Sequence, residues 1–278
     1  EVKDGFGRDE TVTISDSASK TSQDYDGIRV ELPTPLQNET EARTLYSAFI
    51  RDNPQFFHIG NIYGFDGHQT DDGSEFTAFK LVYSMNASER VRAKSRLENA
   101  VQEILKKIPA GADEFERELI LHDELLNRCT YDQETASAAD PAANSITAFN
   151  AYGALVEGKA VCEGYSRAMQ LLLERAGIQS TVVTGFDEKK QAHMWNLVTI
   201  DGQNYHLDPT WNDSEDLLRH TYFNITTKDL TLTHSLDDEN IGVDTCTAEN
   251  ANYYRRTGNY INDYDHVKIA KLVAKQVA

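Results

Sequence analysis

The sequence predicts an α+β protein in which a helix headed by a cysteine lies on an antiparallel sheet, with a helical and β-hairpin region ahead of it. Three observations predict this. The stretches Ala87 to Ile108 and Asp113 to Arg128 place apolar residues three and four apart, the period of a helix with one buried face. The apolar runs 192–200 and 203–208 flank Asp201-Gly202, a dipeptide suited to the left-handed centre of a two-residue hairpin turn. Between them, Cys162 opens another apolar-periodic run that stops at Gly177.

Residues 1–27, rich in Asp, Ser, Thr and Gly, hold no sustained apolar period and read as a flexible N-terminal segment. Order is expected from Ile28. The segment 38–52 carries Ala42, Leu45, Tyr46, Phe49 and Ile50 at helical spacing, and Asn53-Pro54 stops it. Segments 56–63 and 75–83 read as strands joined through a turn-rich Gly64 to Gly73. The two long helices follow, broken at Pro109-Ala110-Gly111. In the second, His122 shares a stripe with Phe115, Leu119 and Leu126, which suits a satisfied core histidine better than a ligand or a base. His122-Asp123-Glu124 has the look of a metal pattern, yet no second histidine sits at the needed helical spacing.

Residues 130–144 read as a polar loop and 145–156 as a short helix ending at Gly158. The helix from Cys162 turns Ala168, Met169, Leu171, Leu172 and Leu173 inward, and strands are expected at 179–185, 192–200 and 203–208. Residues 233–250 are polar and read as loop, and 263–277 as a closing helix. Without an internal repeat or a low-complexity linker, the chain divides into the segment 1–27, an α+β region 28–130 packed on the rest, and a core 131–278 with a C-terminal extension.

At 278 residues with 40% apolar content, 13 Tyr and 11 Phe, the chain can bury an ample core. It lacks any run of eighteen apolar residues, so no membrane span is expected. A formal charge of −18 argues against nucleic-acid binding, which needs clustered Lys and Arg, and fits a cationic or neutral substrate. Solubility alone also explains the acidic surface. Cys129, Cys162 and Cys246 are too few for a disulfide framework; a single bridge between Cys129 and Cys246 stays open for an exported chain. The Asn-x-Ser/Thr triplets at Asn38, Asn86, Asn212 and Asn224 carry no inference. The opening at Glu1 rather than Met leads to the expectation of an upstream piece such as a signal peptide.

Cys162, His193 and Asp208 follow one another as a thiol nucleophile, a base and an orienting carboxylate would. A helix start favours a thiolate through its free N–H groups and dipole; the competing reading of Cys162 is a small buried thiol. The turn at Asp201-Gly202 pairs Ile200 with Gln203 and brings Trp195 opposite Asp208. His193, two positions along the same face, becomes the diagonal neighbour of Asp208 at an α-carbon distance of roughly 7 to 8 Å. A slip of one residue places them on opposite faces. His206 shares that face opposite Leu197 and is the rival base. The first oxyanion donor is the Cys162 backbone N–H. Trp195 and Trp211 line a substrate groove or simply pack beside the site, and Glu163 and Tyr165 have no assigned role.

The settings Val161-Cys162-Glu163-Gly164-Tyr165, His193-Met194-Trp195-Asn196 and His206-Leu207-Asp208-Pro209-Thr210-Trp211 resemble the transglutaminase-like cysteine hydrolase superfamily, whose members start a helix with the nucleophile and put histidine and aspartate on the following strands. The similarity covers roughly Tyr152 to Trp211. Ala151 to Gly164, with Tyr222-Phe223-Asn224-Ile225-Thr226, is similar to bacterial, often exported members in which a helical and hairpin region precedes the core.

The resemblance implies a papain/transglutaminase-like core, catalytic Cys162, His193 and Asp208, and an extracellular or cell-surface location. It also implies a second oxyanion donor upstream of the cysteine, for which Asn144, Ser145 and Tyr152 are unranked candidates. The expected function is a cysteine-dependent amide hydrolase, a peptidase or amidase acting through a thioester on a peptide or protein, including cell-wall-associated substrates. The alternatives are amine transfer that crosslinks proteins, or a binding module that has kept the fold. No cofactor and no metal are expected, because neither a ligand-spaced cluster nor a Gly-rich phosphate loop is present.

Overall fold

Short polar side chains decide where the first helices begin. In the computed structural model, which describes residues 14–15, 27–70, 73–138, 145–214, 218–237, 245–261 and 265–277, Asn38 caps α1 (Glu39–Asp52) by accepting the Glu41 N–H. Asn86 and Asp113 cap α2 (Ala87–Leu105) and α3 (Glu114–Leu126), each closing a capping box with the glutamate three residues on, Glu89 or Glu116.

The N-terminal sheet is antiparallel, with β1 (Gly27–Leu36), β2 (Ile59–Thr70) and β3 (Gly73–Tyr83) ordered β1-β3-β2 and a two-residue piece, Ile14–Ser15, on the outer side of β1. Its small core is Tyr46 of α1 with Phe79 and Leu81 of β3. Within the expected turn-rich Gly64 to Gly73, residues 64–70 are instead strand. Pairing continues from Tyr63 opposite Leu81 to Thr70 opposite Gly73, with one register shift between Asp66 and Gly67. The glycine at 67 answers a close approach: a Cβ there would lie 2.1 Å from the Glu75 carbonyl oxygen. Phe56 falls in a 3-10 turn, Pro54–Phe56, and not in a strand.

The main core gathers Leu97, Val101 and Ile104 from α2, Leu121 and Leu125 from α3, and Met169, Leu172 and Leu173 from α4 (Cys162–Arg175). Against these lie Val198 and Ile200 of β5 (Ala192–Ile200) and Tyr205 and Leu207 of β6 (Gln203–Leu207). With β4 (Ser180–Asp187) and β7 (His234–Leu236) these strands form an antiparallel sheet in the order β7-β4-β5-β6. The polar stretch 233–250 thus contributes an edge strand where a loop was expected. Phe57, stacked on Tyr152 at 5.1 Å, joins the N-terminal region to this core.

The helix expected at 145–156 is broken in two. A 3-10 turn, Thr147–Phe149, ends at extended Asn150, and a wide turn, Gly153–Glu157, runs to Gly158 at φ 74°. Asn150 makes the break, because its Oδ1 accepts the N–H groups of Tyr152 and Gly153 at 3.0 and 3.2 Å and so starts a new turn. The bridge left open between Cys129 and Cys246 is not formed, and both thiols are buried. Helix α5 (His266–Val277) closes the chain. Among the described residues, no helix is long and apolar enough to cross a membrane.

Candidate active site

Cys162 is the first residue of α4, and Val161, the extended residue before it, offers no side-chain cap. The helix start therefore presents its N–H groups uncapped beside the thiol. Val161 N–H donates to the Ala148 carbonyl at 3.0 Å, fixing the approach, and only a glycine fits at 164, where a Cβ would lie 2.3 Å from that same oxygen. Cys162 is partly exposed, unlike the other two cysteines.

The β5–β6 hairpin has the register that its turn predicts: Ile200 faces Gln203, Leu197 faces His206 and Asn196 faces Leu207. Asp201 and Gly202 both take left-handed conformations, φ 51° and 74°, as a two-residue turn of this hand requires. His193 Nε2 then lies 2.7 Å from Asp208 Oδ2, with both side chains buried. The Cys162 side chain lies near enough to His193 to raise it; since Nε2 is committed to Asp208, Nδ1 is the nitrogen left to face the sulfur. Asp208 is also anchored at its other oxygen, where it caps the short helix Pro209–Asn212 by accepting Trp211 N–H at 3.1 Å.

These contacts set the charges. Burial works against an imidazolium, but the Asp208 charge and hydrogen bond, with the Cys162 contact, push His193 up to about 10. Burial likewise opposes ionisation of Asp208, and the His193 charge with bonds from His193 and His234 draws it down to about 2. A protonated imidazole beside an ionised carboxylate is the state at neutral pH.

His206, the rival base, is engaged elsewhere. Trp195 Nε1–H donates to its Nδ1 at 3.1 Å, and its Nε2 lies 3.0 Å from Thr227 Oγ1. Burial and the nearby His234 lower it to about 4, so it stays neutral. Trp195 is fully buried and stacks on His193 at 6.0 Å, which makes it packing and not groove lining. Trp211, 6.0 Å from His193, is partly exposed. Tyr165 has a partner that sequence alone did not suggest: its hydroxyl donates to Asp213, tying α4 to the segment that follows Asp208. Glu163 pairs with Arg167 at 2.6 Å.

Of the upstream oxyanion candidates, Asn144 lies outside the described residues. Ser145 Oγ accepts Ala148 N–H at 3.3 Å, and Tyr152 Oη accepts from Arg96 at 2.7 Å. Two residues absent from the sequence reading stand at the site. His234 Nε2 lies 3.2 Å from Asp208 Oδ2. Burial, then the charges of Cys162 and Asp208, push the Tyr131 hydroxyl up to about 12, so its phenol is within electrostatic reach of both.

Two His-Asp-His groups bring three ligand atoms within 4.8 Å of one another: His193, Asp208 and His234, and His122, Asp123 and His220. The second histidine that helical spacing denies to His122 thus arrives from 97 residues beyond Asp123, a folding event no local pattern reveals. Imidazole and carboxylate suit zinc and its neighbours, but hydrogen bonds orient the second group differently. Asn212 Oδ1 accepts Tyr222 N–H at 2.8 Å, which turns Asn212 Nδ2 toward His122 Nε2 at 3.1 Å. His122 Nε2 is then an acceptor, and its Nδ1 carries the proton toward Asp123 Oδ1 at 2.8 Å, where a metal would need a lone pair. His122 is the satisfied core histidine that its helical stripe suggests.

Residues 101–209 match the family model described as Transglutaminase-like superfamily, a span that includes Cys162, His193 and Asp208 and stops short of His234. This segment is therefore similar to that superfamily. No curated protein sequence matches the chain. Among solved structures, a TGase is similar at 15% identity and a TM-score of 0.39, covering 69% of this chain and 53% of that one. A "putative protease" from Parabacteroides distasonis has 13% identity and a TM-score of 0.32, covering 54% of this chain and 36% of that one. A "putative cysteine protease" from Cytophaga hutchinsonii has 14% identity and a TM-score of 0.30, covering 54% and 63%. The alignment spans about half the length of the first of these.

Proposed function

We propose that the chain is a cysteine-dependent amide hydrolase, a peptidase or amidase that works through a thioester. The observation that carries this reading is His193, set between the Asp208 carboxylate at 2.7 Å and the Cys162 side chain at an uncapped helix start.

With its proton on His193 Nδ1, the Cys162 sulfur attacks the amide carbonyl carbon. The carbonyl electron pair moves to oxygen, where the Cys162 backbone N–H stabilises it. As the oxyanion collapses, the carbon–nitrogen bond breaks and His193 protonates the departing amine. Water then attacks the thioester, His193 takes its proton, and the carbon–sulfur bond breaks to free the acid and return Cys162 and His193 to their starting state. Asp208 holds the ring in the tautomer this requires. Partial exposure of Cys162 favours water over an amine as the acceptor. A peptide or protein outside the cell or in its wall completes the proposal.

Iodoacetamide at about pH 6 tests the nucleophile. Cys162 should be alkylated far faster than Cys129, whose thiol burial pushes up to about 12, and faster than buried Cys246. Equal, slow labelling of all three overturns the reading. A peptide-library cleavage screen, run with and without a primary amine, then identifies the acceptor; incorporation of the amine replaces hydrolysis with crosslinking.

A further inference from the structure

Asp208 serves two imidazoles. Its Oδ2 lies 2.7 Å from His193 Nε2 and 3.2 Å from His234 Nε2. His234 enters from β7, outside the segment that carries the chemistry, and its side chain is fully buried. Its ring is held on every side, with centroids 4.4 Å from Trp211, 5.2 Å from Trp195, 5.3 Å from His193 and 5.5 Å from Tyr222. Its Nδ1 lies 2.8 Å from Thr233 Oγ1, which lies 3.2 Å from the Tyr222 hydroxyl.

Among the described residues, the titratable groups facing His234 are Asp208, His193, His206 and Tyr222. Asp187, its partner across β4, turns its carboxylate to its own loop, where Oδ1 accepts the N–H groups of Lys189 and Gln191 at 2.8 Å each. A carboxylate oxygen needs a donor, so His234 Nε2 carries a proton. A second imidazolium 5.3 Å from a charged His193, with one carboxylate between them, would be repelled. Thr233 Oγ1 reaches both the Leu230 carbonyl at 3.4 Å and His234 Nδ1 at 2.8 Å. The Leu230 oxygen already accepts the Thr233 N–H, so the hydroxyl proton goes to the closer His234 Nδ1, Tyr222 donates to Thr233, and His234 Nε2–H donates to Asp208.

We propose that His234 is a positioning residue for the Cys162–His193–Asp208 site, a neutral imidazole whose Nε2–H fixes the Asp208 carboxylate and takes up part of its charge. This rests on the triad reading above, and it adds a fourth side chain to that site. Without His234, one buried lone pair of Asp208 loses its donor, and the whole carboxylate charge acts on His193.

Nitrogen-15 NMR of ring-labelled histidines tests this in the intact chain. His234 should show a proton on Nε2 and a bare Nδ1. In His234→Leu the His193 titration midpoint should rise by about one unit, and alkylation of Cys162 should slow by about tenfold as the carboxylate loses its aim. His234→Gln, whose amide nitrogen can stand where Nε2 stood, should restore both. A charged His234, an Nδ1–H tautomer, an unmoved His193 midpoint in His234→Leu, or a Gln variant as impaired as Leu overturns the proposal. If His234→Leu does not fold, the tautomer in the unaltered protein decides. The His193 midpoint reports the surroundings of Asp208 whether or not the protein turns over a substrate, whereas slow labelling of Cys162 in the unaltered protein overturns the triad reading itself.

Discussion

Glu118 and Asn224 face each other inside the core, with 2.6 Å between Glu118 Oε2 and Asn224 Nδ2. Both side chains are fully buried, and the remaining oxygens, Glu118 Oε1 and Asn224 Oδ1, have no hydrogen-bond partner. A proton on Glu118 gives the pair its second donor and turns two unsatisfied acceptors into one hydrogen-bonded couple. Burial pushes Glu118 up to about 8, only partly offset by Asn224 and reinforced by the charge of Glu114. The raised value means that its contribution to stability is complete below the ordinary 4.5 and is lost as pH rises through about 8. The slope over that interval is on the order of 1.4 kcal/mol per pH unit. Glu118→Gln supplies the second donor at every pH, so its urea midpoint should exceed that of the unaltered protein increasingly from pH 4.5 to about 8. Parallel pH dependences of the two proteins would show that Glu118 is ionised.

His193 and Asp208 produce a different window. Asp208 is depressed from 3.8 to about 2, so its contribution is present above 3.8 and lost as pH falls through about 2. His193 is raised from 6.5 to about 10, so its contribution is complete below 6.5 and lost as pH rises through about 10. The pair stabilises most between 3.8 and 6.5. Asp208→Asn removes both effects, and its loss in melting temperature should be greatest in that window and shrink on either side. A constant difference across the whole range would point to packing and not to charge.

Loss of His206 should separate stability from chemistry. Its replacement by Leu leaves the Trp195 indole N–H without a partner, while Thr227 Oγ1 keeps the Cys246 N–H at 2.9 Å, and orphaning a buried donor costs about 1 to 3 kcal/mol. The neutral ring has no place in the proton path, so alkylation of Cys162 per folded molecule should stay within about twofold of the original. His193→Ala, in contrast, should slow that alkylation by about a hundredfold or more. Equal loss in the two variants, measured on folded protein, would reassign the base to His206.

What could be read in advance was local. The Asp201-Gly202 turn and the alternation on each side of it set the register that brings His193 beside Asp208, because a two-residue turn leaves a hairpin no freedom to slip. The cysteine at a helix start was legible for the same reason. His234 was not, since β7 has three residues, lies in a polar stretch and is defined only by its distant partner β4. Glycine misled at Gly67, where a neighbouring carbonyl, and not a turn, excludes a side chain. Asn150 split an expected helix through its side-chain oxygen, an effect that apolar spacing does not encode. The His122–Asp123–His220 group needed a contact 97 residues away to exist.

Gly185 joins the edge strand to the site. It pairs with His193 on one side and with Leu236 on the other, so it lies in β4 between the two strands that carry the histidines of Asp208. A Cβ on it would lie 2.2 Å from the Ser235 carbonyl oxygen and 2.6 Å from Trp195 Cη2. Neither obstacle is a flexible tip: one is backbone of β7 and the other an indole that is fully buried. Gly185→Ala must therefore push β7 outward or displace Trp195, and either shift moves His234 or His193 relative to Asp208. Overpacking of this kind destabilises by about 1 to 3 kcal/mol. Gly202→Ala is the control, because a Cβ there meets nothing within 4 Å and only the left-handed backbone at φ 74° opposes it, at roughly 1 kcal/mol. Gly185→Ala should melt below Gly202→Ala and should also slow alkylation of Cys162, while Gly202→Ala should leave that rate near the original. If Gly185→Ala alkylates at the original rate, β7 can move without disturbing the triad, and the edge strand has no part in holding it.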